Sequence, residues 1–305
     1  MPRIATIGFF DGVHRGHRFR FAQLQEHARL LHLSPVVYTF SEHPKQILTG
    51  HSPAMLTTNE ERASLLCAYA EVHFLDFSAV QHLTAEQFMR YLHDEQDVAA
   101  LLIGYDHHFG SDRLLGFAEY EKIARKIGMH VERAHECLVD GLPVSSSRIR
   151  KLLEATQIDQ VNRLLGYNYA VSGVVEHGNA IGAALGFPTA NIRLDSAKQL
   201  PACGVYAVEV HLQAQRSSNA VIFGHGDLQG VPPQSTSYKG VANIGTNPTV
   251  GNDHLSLEVH LLDFNGDLYG QRLTISFLYF LREERKFDSL EDLKNQISSD
   301  VRNIL

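Results

Sequence analysis

The spacing of apolar segments changes near residue 166, and this change constrains the fold more than any other feature of the sequence. Before it, apolar runs of strand length alternate with stretches whose apolar residues recur at helical spacing. The predicted strands are Ile4–Phe9, Val36–Phe40, Val72–Phe77, Val98–Gly104 and Met129–Arg133. Strands that alternate with helices form a parallel sheet with right-handed crossovers, so we predict an α/β domain.

After residue 166, predicted strands follow one another with turns between them and little helix. They are Tyr169–Val175, Val205–Leu212, Tyr238–Ile244, Leu255–Leu262 and Leu273–Leu281. This pattern is typical of an antiparallel sheet or barrel. Asp288 with Glu291 is predicted to cap a final helix that runs to about Val301. We therefore expect two domains, residues 1–166 and residues 167–305.

Composition limits the classes of function. The chain has 305 residues, of which 44% are hydrophobic, and a formal net charge of −7, which argues against a nucleic-acid-binding protein. It contains no apolar stretch long enough to span a membrane and no signal-peptide core. Its three cysteines are scattered, which favours neither a disulfide framework nor a zinc site. These features predict a cytoplasmic protein that does not associate with membranes.

The segment GFFDGVHRGH follows the first predicted strand. His14 and His17 are three residues apart where a helix begins, so both side chains can face one bound phosphate. The helix N-terminus offers free N–H groups to an anion. The glycines that would let the backbone approach the phosphates are Gly8, Gly12 and Gly16. The pattern predicts nucleotidyl transfer from ATP, with attack on the α-phosphate and loss of pyrophosphate. The alternative is two histidines that happen to share a surface turn.

Two more segments are candidates for the same site. VSSSRIR (144–150) places three serines at a probable helix start with Arg148 and Arg150 in the first turn, a combination that suits a polyphosphate. Ordinary N-capping would explain one of the serines. GYDHHFG (104–110) leaves the fourth predicted strand. Because ligands bind at the carboxyl ends of parallel strands, it can share one crevice with the first motif.

A second candidate site lies in the C-terminal part of the chain. The segment GNAIGAALGFPTAN carries spaced glycines, a proline that fixes the backbone, and then Thr189 and Asn191, whose oxygens suit Mg²⁺. The alternative is a glycine-rich hairpin connection with a turn proline. Glu258 interrupts a predicted strand, where it would accept a proton from an attacking hydroxyl if it faces a pocket. Otherwise it is the solvent-side residue of an alternating strand.

The sequence resembles the prokaryotic bifunctional riboflavin kinase/FMN adenylyltransferase family, also called FAD synthetase. The motifs of the first module, in order, are GFFDGVHRGH, TFSEHP (39–44), LTTNEER (56–62), GYDHHFG (104–110) and VSSSRIR (144–150). Those of the second module are GFPTANI, GVYAV (204–208), GVANIGTNPTVG (240–251), LEVHLLDFNGDLYG (257–270) and FLREERKFDSLEDLKNQI (280–297). Together the two modules cover nearly the whole chain. The resemblance implies a Rossmann-like nucleotidyltransferase domain followed by a small antiparallel riboflavin kinase-like β-barrel that ends in a helix.

The resemblance also implies roles for individual residues. In the first module, ATP would be bound by Gly8, Phe9, Asp11, Gly12, His14, His17, Ser146, Ser147 and Arg148. The flavin or the nucleotide would lie near Phe40, His43, Pro44 and Asp106. In the second module, Mg–ATP would be bound by Gly178, Gly182, Gly186, Pro188, Thr189 and Asn191, with Thr189 and Asn191 at the metal. Glu258 would be the base that deprotonates the ribityl 5′-hydroxyl of riboflavin, and Arg282 would lie near the flavin.

The sequence thus predicts an enzyme that phosphorylates riboflavin to FMN and then adenylylates FMN to FAD, with ATP as co-substrate and Mg²⁺ as cofactor. Ala183-Ala184 and Asn247 depart from the family's motifs, so the first alternative is a monofunctional FMN adenylyltransferase with an impaired kinase domain. A second alternative is a flavin-binding regulator on a retired enzyme scaffold. A third is an adenylyltransferase for another acceptor, which would explain the histidine motif but not the PTAN segment.

Overall fold

A computed structural model describes most of the chain. The described residues are 1–105, 108–112, 116–177, 182, 186–194, 198–212, 236–247 and 254–304. Asp106 and Gly178 of the predicted sites, together with Ala183-Ala184, lie outside them. The chain forms two compact units; Met1–Ser146 belongs to the first, and the second begins at Ser147.

The first unit is built on a five-stranded sheet. Its strands are β1 (Arg3–Ile7), β2 (Ser34–Phe40), β3 (Glu71–Leu75), β4 (Val98–Ile103) and β5 (His130–Arg133). All neighbouring strands are parallel, in the order β3-β2-β1-β4-β5. The prediction of a parallel α/β sheet is confirmed. A two-stranded ribbon, β6 (Leu138–Val139) and β7 (Leu142–Pro143), follows.

Helices cover both faces of this sheet. They are α1 (Arg15–Leu31), α2 (Pro44–Thr49), α3 (Asn59–Cys67), α4 (Phe77–Val80), α5 (Ala85–Arg90) and α6 (Phe117–Ile127). On one face, α1 and α3 pack Phe21 and Leu66 against Ile4. On the other, α5 and α6 pack Phe88 and Tyr120 in one core with alternate strand residues such as Ala5 and Ile7. This alternation places successive strand residues on opposite faces of the sheet.

The second unit is a closed barrel. Its strands are β8 (Ala170–Glu176), β9 (Ala190–Leu194), β10 (Gly204–Leu212), β11 (Ser237–Asn247), β12 (His254–Leu261) and β13 (Arg272–Arg282). Their order around the barrel is β10-β11-β12-β9-β8-β13, and each neighbouring pair is antiparallel. The described helices in this part of the chain are α7 (Ser146–Glu154), whose first residue belongs to the first unit, α8 (Ile158–Leu165) and α9 (Leu290–Arg302).

Two details differ from the sequence expectations. The barrel has a sixth strand, β9, in a segment that sequence reasoning treated as a connection. The final helix is capped by Ser289, whose side chain accepts a hydrogen bond from the Asp292 backbone, and not by Asp288 with Glu291. Serine is as good an N-cap as aspartate, so the sequence alone could not distinguish neighbouring cap positions.

Among the helices that the structure describes, none is both long enough and apolar enough to cross a membrane.

Candidate active sites

The loop between β1 and α1 has a strained backbone. Gly12 has a φ of 78°, Phe10 a φ of 56° and Val13 a φ of 36°. A positive φ is natural for glycine but costs roughly 1–3 kcal/mol for other residues, and for a β-branched residue such as Val13 it is a true outlier. Such strain persists only where the surroundings hold the backbone in place, and it clusters at functional sites.

The Asp11 carboxylate holds this loop. It is 3% exposed and accepts hydrogen bonds from the backbone N–H groups of Leu56 and Thr57, and from the Thr57 hydroxyl, all at 3.0 Å. The Thr57 hydroxyl also accepts from the Gly12 backbone N–H at 3.1 Å. On its other side, the Asp11 carbonyl accepts from the Ser146 hydroxyl at 2.9 Å. These hydrogen bonds connect the β1–α1 loop to residues 56–57 and to Ser146, which lie far from it in the sequence.

His14 and His17 lie together at the start of α1. His14 is the N-cap residue, and its Nδ1 accepts the His17 backbone N–H at 3.3 Å. The two imidazole rings stack with centroids 3.6 Å apart. Because Nδ1 of His14 accepts this bond, the proton of the neutral ring sits on Nε2, where it is a hydrogen-bond donor.

Both histidines are neutral at physiological pH. Burial lowers the pKa of His14 to about 3, with a smaller contribution from the nearby positive charge of Arg20. Burial also lowers the pKa of His17 well below its usual value, assisted by His14 and Arg20. The Nδ1 atom of His17 is buried without a hydrogen-bond partner among the described residues. The pair can donate hydrogen bonds to a phosphate but carries no charge of its own.

Two of the predicted flavin residues, Phe40 and His43, lie near a buried arginine. Phe9 packs between His43, at 4.6 Å between ring centroids, and the Arg62 guanidinium, 4.1 Å from the ring centroid. Arg62 is fully buried and donates to the Phe40 carbonyl at 2.6 Å and to Asn59 at 2.7 Å. Burial lowers the pKa of Arg62 to about 10, so the side chain stays charged at neutral pH. The three motifs GFFDG, TFSEHP and LTTNEER therefore meet at this side chain.

The remaining predicted residues of the first site lie at helix starts and loop positions. Pro44 is the first residue of α2, directly after its N-cap His43. Gly8 follows β1, and its N–H donates to the Tyr38 carbonyl at 3.1 Å. Ser146 is the first residue of α7, and Ser147 and Arg148 occupy the next two positions of that helix.

In the barrel, three polar residues form a row across neighbouring strands. Glu258 on β12 lies directly opposite Asn243 on β11 and Asn191 on β9. Directly opposed residues share one face of a sheet. The Thr189 hydroxyl donates to Glu258 Oε2 at 3.3 Å. The row therefore offers side-chain oxygens that can bind a metal ion, together with a partly buried carboxylate. A phosphate-transfer site that uses a hard cation such as Mg²⁺ needs oxygen ligands of this kind.

A cavity of about 380 Å³ opens beside this row. Glu258, Thr189, Asn243 and Arg282 line it together with apolar side chains such as Phe187. Gly182 lines it as well. Glu258 therefore faces a cavity, which is the condition that the general-base hypothesis sets.

Arg282 is fixed at the cavity by an ion pair. Its Nη2 donates to Asp300 Oδ2 at 2.8 Å and its Nε to both carboxylate oxygens, and Asp300 is only 2% exposed. Gln296 donates to the same carboxylate at 2.8 Å. Glu284, also in the lining, accepts from Asn243 Nδ2 at 3.1 Å. A buried, bidentate pair of this kind sets the orientation of the guanidinium.

The glycine-rich segment is described only in part. Gly186 has a φ of 90°, and the Pro188 carbonyl accepts a hydrogen bond from His260 Nδ1 at 2.9 Å if that nitrogen carries the proton. This contact ties the PTAN segment to β12. Gly178 and the Asn247 side chain lie outside the described part of the chain. Within that part, no group of three or more His, Cys, Asp or Glu residues could hold a metal ion.

Sequence reasoning missed several residues of both sites. Asp300 shares a helix face with Leu293 and Ile297, at positions i, i+4 and i+7, and a carboxylate on an otherwise apolar face signals a buried partner. Arg62 was harder to predict as a site residue, since its only sequence indication is its position in the LTTNEER motif. Asn243 carried none, because its pairing with Glu258 depends on strand register.

Comparisons with known proteins agree on both halves of the chain. A family model described as FAD synthetase matches residues 1–148, and one described as riboflavin kinase matches residues 165–305. The bifunctional riboflavin kinase/FMN adenylyltransferase of Pseudomonas fluorescens is 39% identical over 98% of this chain and 90% of that protein. The protein of the same name from Haemophilus influenzae is 35% identical over 97% of this chain and 91% of its own length.

A solved structure gives the same result for the fold. A crystal structure titled as a macrolide-efflux protein from Streptococcus pneumoniae superposes with a TM-score of 0.84. It is 31% identical to this chain, and the match covers 99% of this chain and 93% of that one.

Proposed function

Because the chain belongs to the prokaryotic bifunctional riboflavin kinase/FMN adenylyltransferase family, it is an enzyme of both activities, and we propose how its residues divide the work. The barrel phosphorylates riboflavin with ATP to give FMN. The α/β unit transfers AMP from ATP to FMN, giving FAD and pyrophosphate. We place the modules at residues 1–166 and 167–305. The observation that supports the kinase assignment best is the Thr189–Glu258 contact at the cavity.

In the barrel, we propose that Glu258 accepts the proton of the riboflavin 5′-hydroxyl as the hydroxyl oxygen attacks the γ-phosphorus of ATP. The bond to the β-phosphate oxygen breaks, and ADP leaves. Gly178, Gly182, Gly186, Pro188, Thr189 and Asn191 bind the nucleotide. Arg282, held by Asp300, positions the flavin. A general base of this kind contributes about 10²–10⁴ in rate.

The donor set beside Glu258 fits a magnesium ion. Thr189 and Asn191 offer neutral oxygens next to a carboxylate, and Mg²⁺ prefers oxygen ligands and keeps few protein contacts when it binds with nucleotide phosphates. Thr189 and Asn191 would hold the ion. When bound, it would neutralise charge on the ATP phosphates.

In the α/β unit, no base is needed. The attacking group is a phosphate oxygen of FMN, which is already an anion at neutral pH. It attacks the α-phosphorus of ATP, and the bond to the leaving pyrophosphate breaks. The neutral His14 and His17 fit this task because they can donate hydrogen bonds to the phosphates as charge shifts toward the leaving group.

The other first-site residues complete the ATP and flavin contacts in this proposal. Those proposed to hold or frame ATP are Gly8, Phe9, Asp11, Gly12, Ser146, Ser147 and Arg148. Asp11 acts by fixing the strained loop, since its carboxylate is occupied by Leu56 and Thr57. Phe40, His43, Pro44 and Asp106 lie at the flavin. We further propose that the enzyme works in the cytoplasm, binds its flavins as substrate and product, and needs neither nucleic acid nor a membrane.

Product analysis tests this proposal. The purified protein is incubated with ATP and Mg²⁺ and either riboflavin or FMN, and the flavins are separated by chromatography. We expect FMN and FAD from riboflavin, and FAD from FMN. If FAD forms from FMN but no FMN or FAD forms from riboflavin, the bifunctional assignment is wrong.

A further inference from the structure

The order of strands in the first unit creates one switch point. From β1 the chain proceeds to β2 and β3 on one side, and then crosses to β4 on the other side. In open parallel sheets, ligands bind outside the carboxyl ends of the strands at this point. The crevice between the ends of β1 and β4 is therefore where the substrates are expected, and the histidine loop leaves β1 there.

Arg20 reaches both sides of this crevice. It follows His17 by three residues on α1, so it lies on the same helix face as His14 and His17. Its Cζ is 5.7 Å from the centroid of the Phe10 ring in the β1–α1 loop. Its guanidinium also lies against Gly104, the first residue after β4, so closely that a Cβ at that position would overlap it. The lack of a side chain at Gly104 leaves space for this cation.

Arg20 carries a positive charge, which the two neutral histidines do not. His14 and His17 are uncharged at neutral pH, and the positive charge of Arg20 contributes to the lowering of both pKa values. The Arg62 guanidinium is no substitute, because it is fully buried behind Phe9. A reaction that expels pyrophosphate accumulates negative charge, and a fixed cation beside neutral donors stabilises it.

We propose that Arg20 binds a phosphate group of the substrates in the crevice between β1 and β4, and that it is a further catalytic residue of adenylyl transfer. This inference rests on the proposed function of the first unit. Two sources supply such a phosphate group: the β- and γ-phosphates of ATP, which leave as pyrophosphate, and the 5′-phosphate of FMN.

The test compares Arg20→Met, which removes the charge, with Arg20→Lys, which keeps it. Arg29→Met is the matched control, because Arg29 is an exposed arginine of the same helix paired with Glu26. We expect kcat/KM for FAD formation to fall about 10- to 100-fold in Arg20→Met, as for the loss of a charged hydrogen bond. Arg20→Lys should recover part of the loss, and Arg29→Met should match the unmodified enzyme.

The two sources give different kinetic results. If Arg20 binds the ATP phosphates, the KM for ATP and the inhibition constant of pyrophosphate rise together while the KM for FMN stays constant. If it binds the FMN phosphate, only the KM for FMN rises. Either pattern supports the inference. Changes below about twofold in all of these constants, or an Arg20→Lys variant as impaired as Arg20→Met, would overturn it.

Two further measurements keep the inference separate from folding and from the proposed function. Gly104→Ala should displace the guanidinium without removing it and reproduce the Arg20→Met pattern; a fully active Gly104→Ala enzyme contradicts the inference. Calorimetric titrations with pyrophosphate and with FMN need no turnover, and we expect weaker binding of at least one of these two ligands in Arg20→Met. If the unmodified enzyme makes no FAD from FMN, the proposed function fails, whereas equal pyrophosphate and FMN affinities in both proteins overturn the role of Arg20 alone.

Discussion

The two candidate sites present side chains of opposite chemical character. The site of the α/β unit presents neutral histidines at the start of α1, directly after a strained loop, with a cation nearby. The site of the barrel presents a carboxylate, Glu258, in a row of amide and hydroxyl oxygens. The first can donate hydrogen bonds to an anion, whereas the second can accept a proton or hold a hard cation.

The difference follows from the group that attacks ATP in each reaction. A riboflavin hydroxyl must lose a proton to become a competent nucleophile, so a base is required. The phosphate of FMN is already ionised, so a base would add nothing. In the proposed mechanisms the acceptor, and not ATP, decides whether a base is needed.

The sharpest test of this contrast is Glu258→Gln. Loss of the base should lower FMN formation from riboflavin by about 10³-fold, while FAD formation from FMN is unchanged. Initial rates of both reactions measured on one preparation give the comparison. Glu209→Gln is the matched control, since Glu209 is a partly exposed barrel carboxylate that does not line the cavity. If a folded Glu258→Gln variant lost FMN formation and FAD formation equally, the assignment of the two activities to separate units would be wrong.

The reciprocal test is His17→Ala. Removing one donor to the phosphates should lower FAD formation from FMN by about 10²-fold and leave FMN formation from riboflavin intact. The same pair of rate measurements applies, with His27→Ala on the same helix as the control. Retention of more than half of the FAD-forming rate would show that the stacked histidines are structural.

Much of the architecture could be predicted from local sequence patterns, because these features depend on residues that are close together in the sequence. The alternation of strands and helices and the change to antiparallel strands after residue 166 are confirmed. Strand β9 was missed because only five residues form it and its partners, β8 and β12, are specified by register and not by local sequence.

Contacts within the sites could be predicted only where both residues lie in one sequence motif. The pairing of His14 with His17 follows from helical spacing. The contacts of Asp11 with Thr57, of Arg62 with Phe40, and of Arg282 with Asp300 join segments far apart in the chain. Such contacts depend on tertiary packing, for which a single sequence carries no periodic signature.

The histidine site should also be the more acid-sensitive part of the molecule. The pKa of His14 is about 3 in the folded protein, against the ordinary value of 6.5 for an exposed histidine. Below pH 6.5 the unfolded chain therefore binds a proton that the folded chain does not. The contribution of neutral His14 to the free energy of unfolding is fully present above pH 6.5. It is lost as the pH falls from 6.5 toward 3, by about 1.4 kcal/mol per pH unit. At pH 5 the α/β unit should be about 2 kcal/mol less stable than at pH 7.

Urea titrations at pH 7 and pH 5 test this, with hydrogen–deuterium pulse labelling at one fixed pH and mass spectrometry of peptides from each unit. His14→Asn keeps a good N-cap but cannot titrate, so its α/β unit should lose less stability on acidification. An unchanged pH dependence in His14→Asn, or an equal loss in the barrel peptides, would contradict the contrast between the sites.

The smallest expected effect concerns Asp300, which we propose acts through Arg282. Asp300→Asn keeps the shape of the side chain but removes the charge that orients Arg282. Leaving the guanidinium without its buried counter-ion weakens its orientation. We expect the KM for riboflavin to rise about 10-fold with kcat within about threefold, because Arg282 serves binding and not proton transfer. Glu291→Gln, an exposed change on the same helix, is the control. If kcat fell as far as in Glu258→Gln while the KM stayed constant, Arg282 would belong to the chemistry of phosphate transfer, and the barrel would resemble the α/β unit in using a cation at its reacting centre.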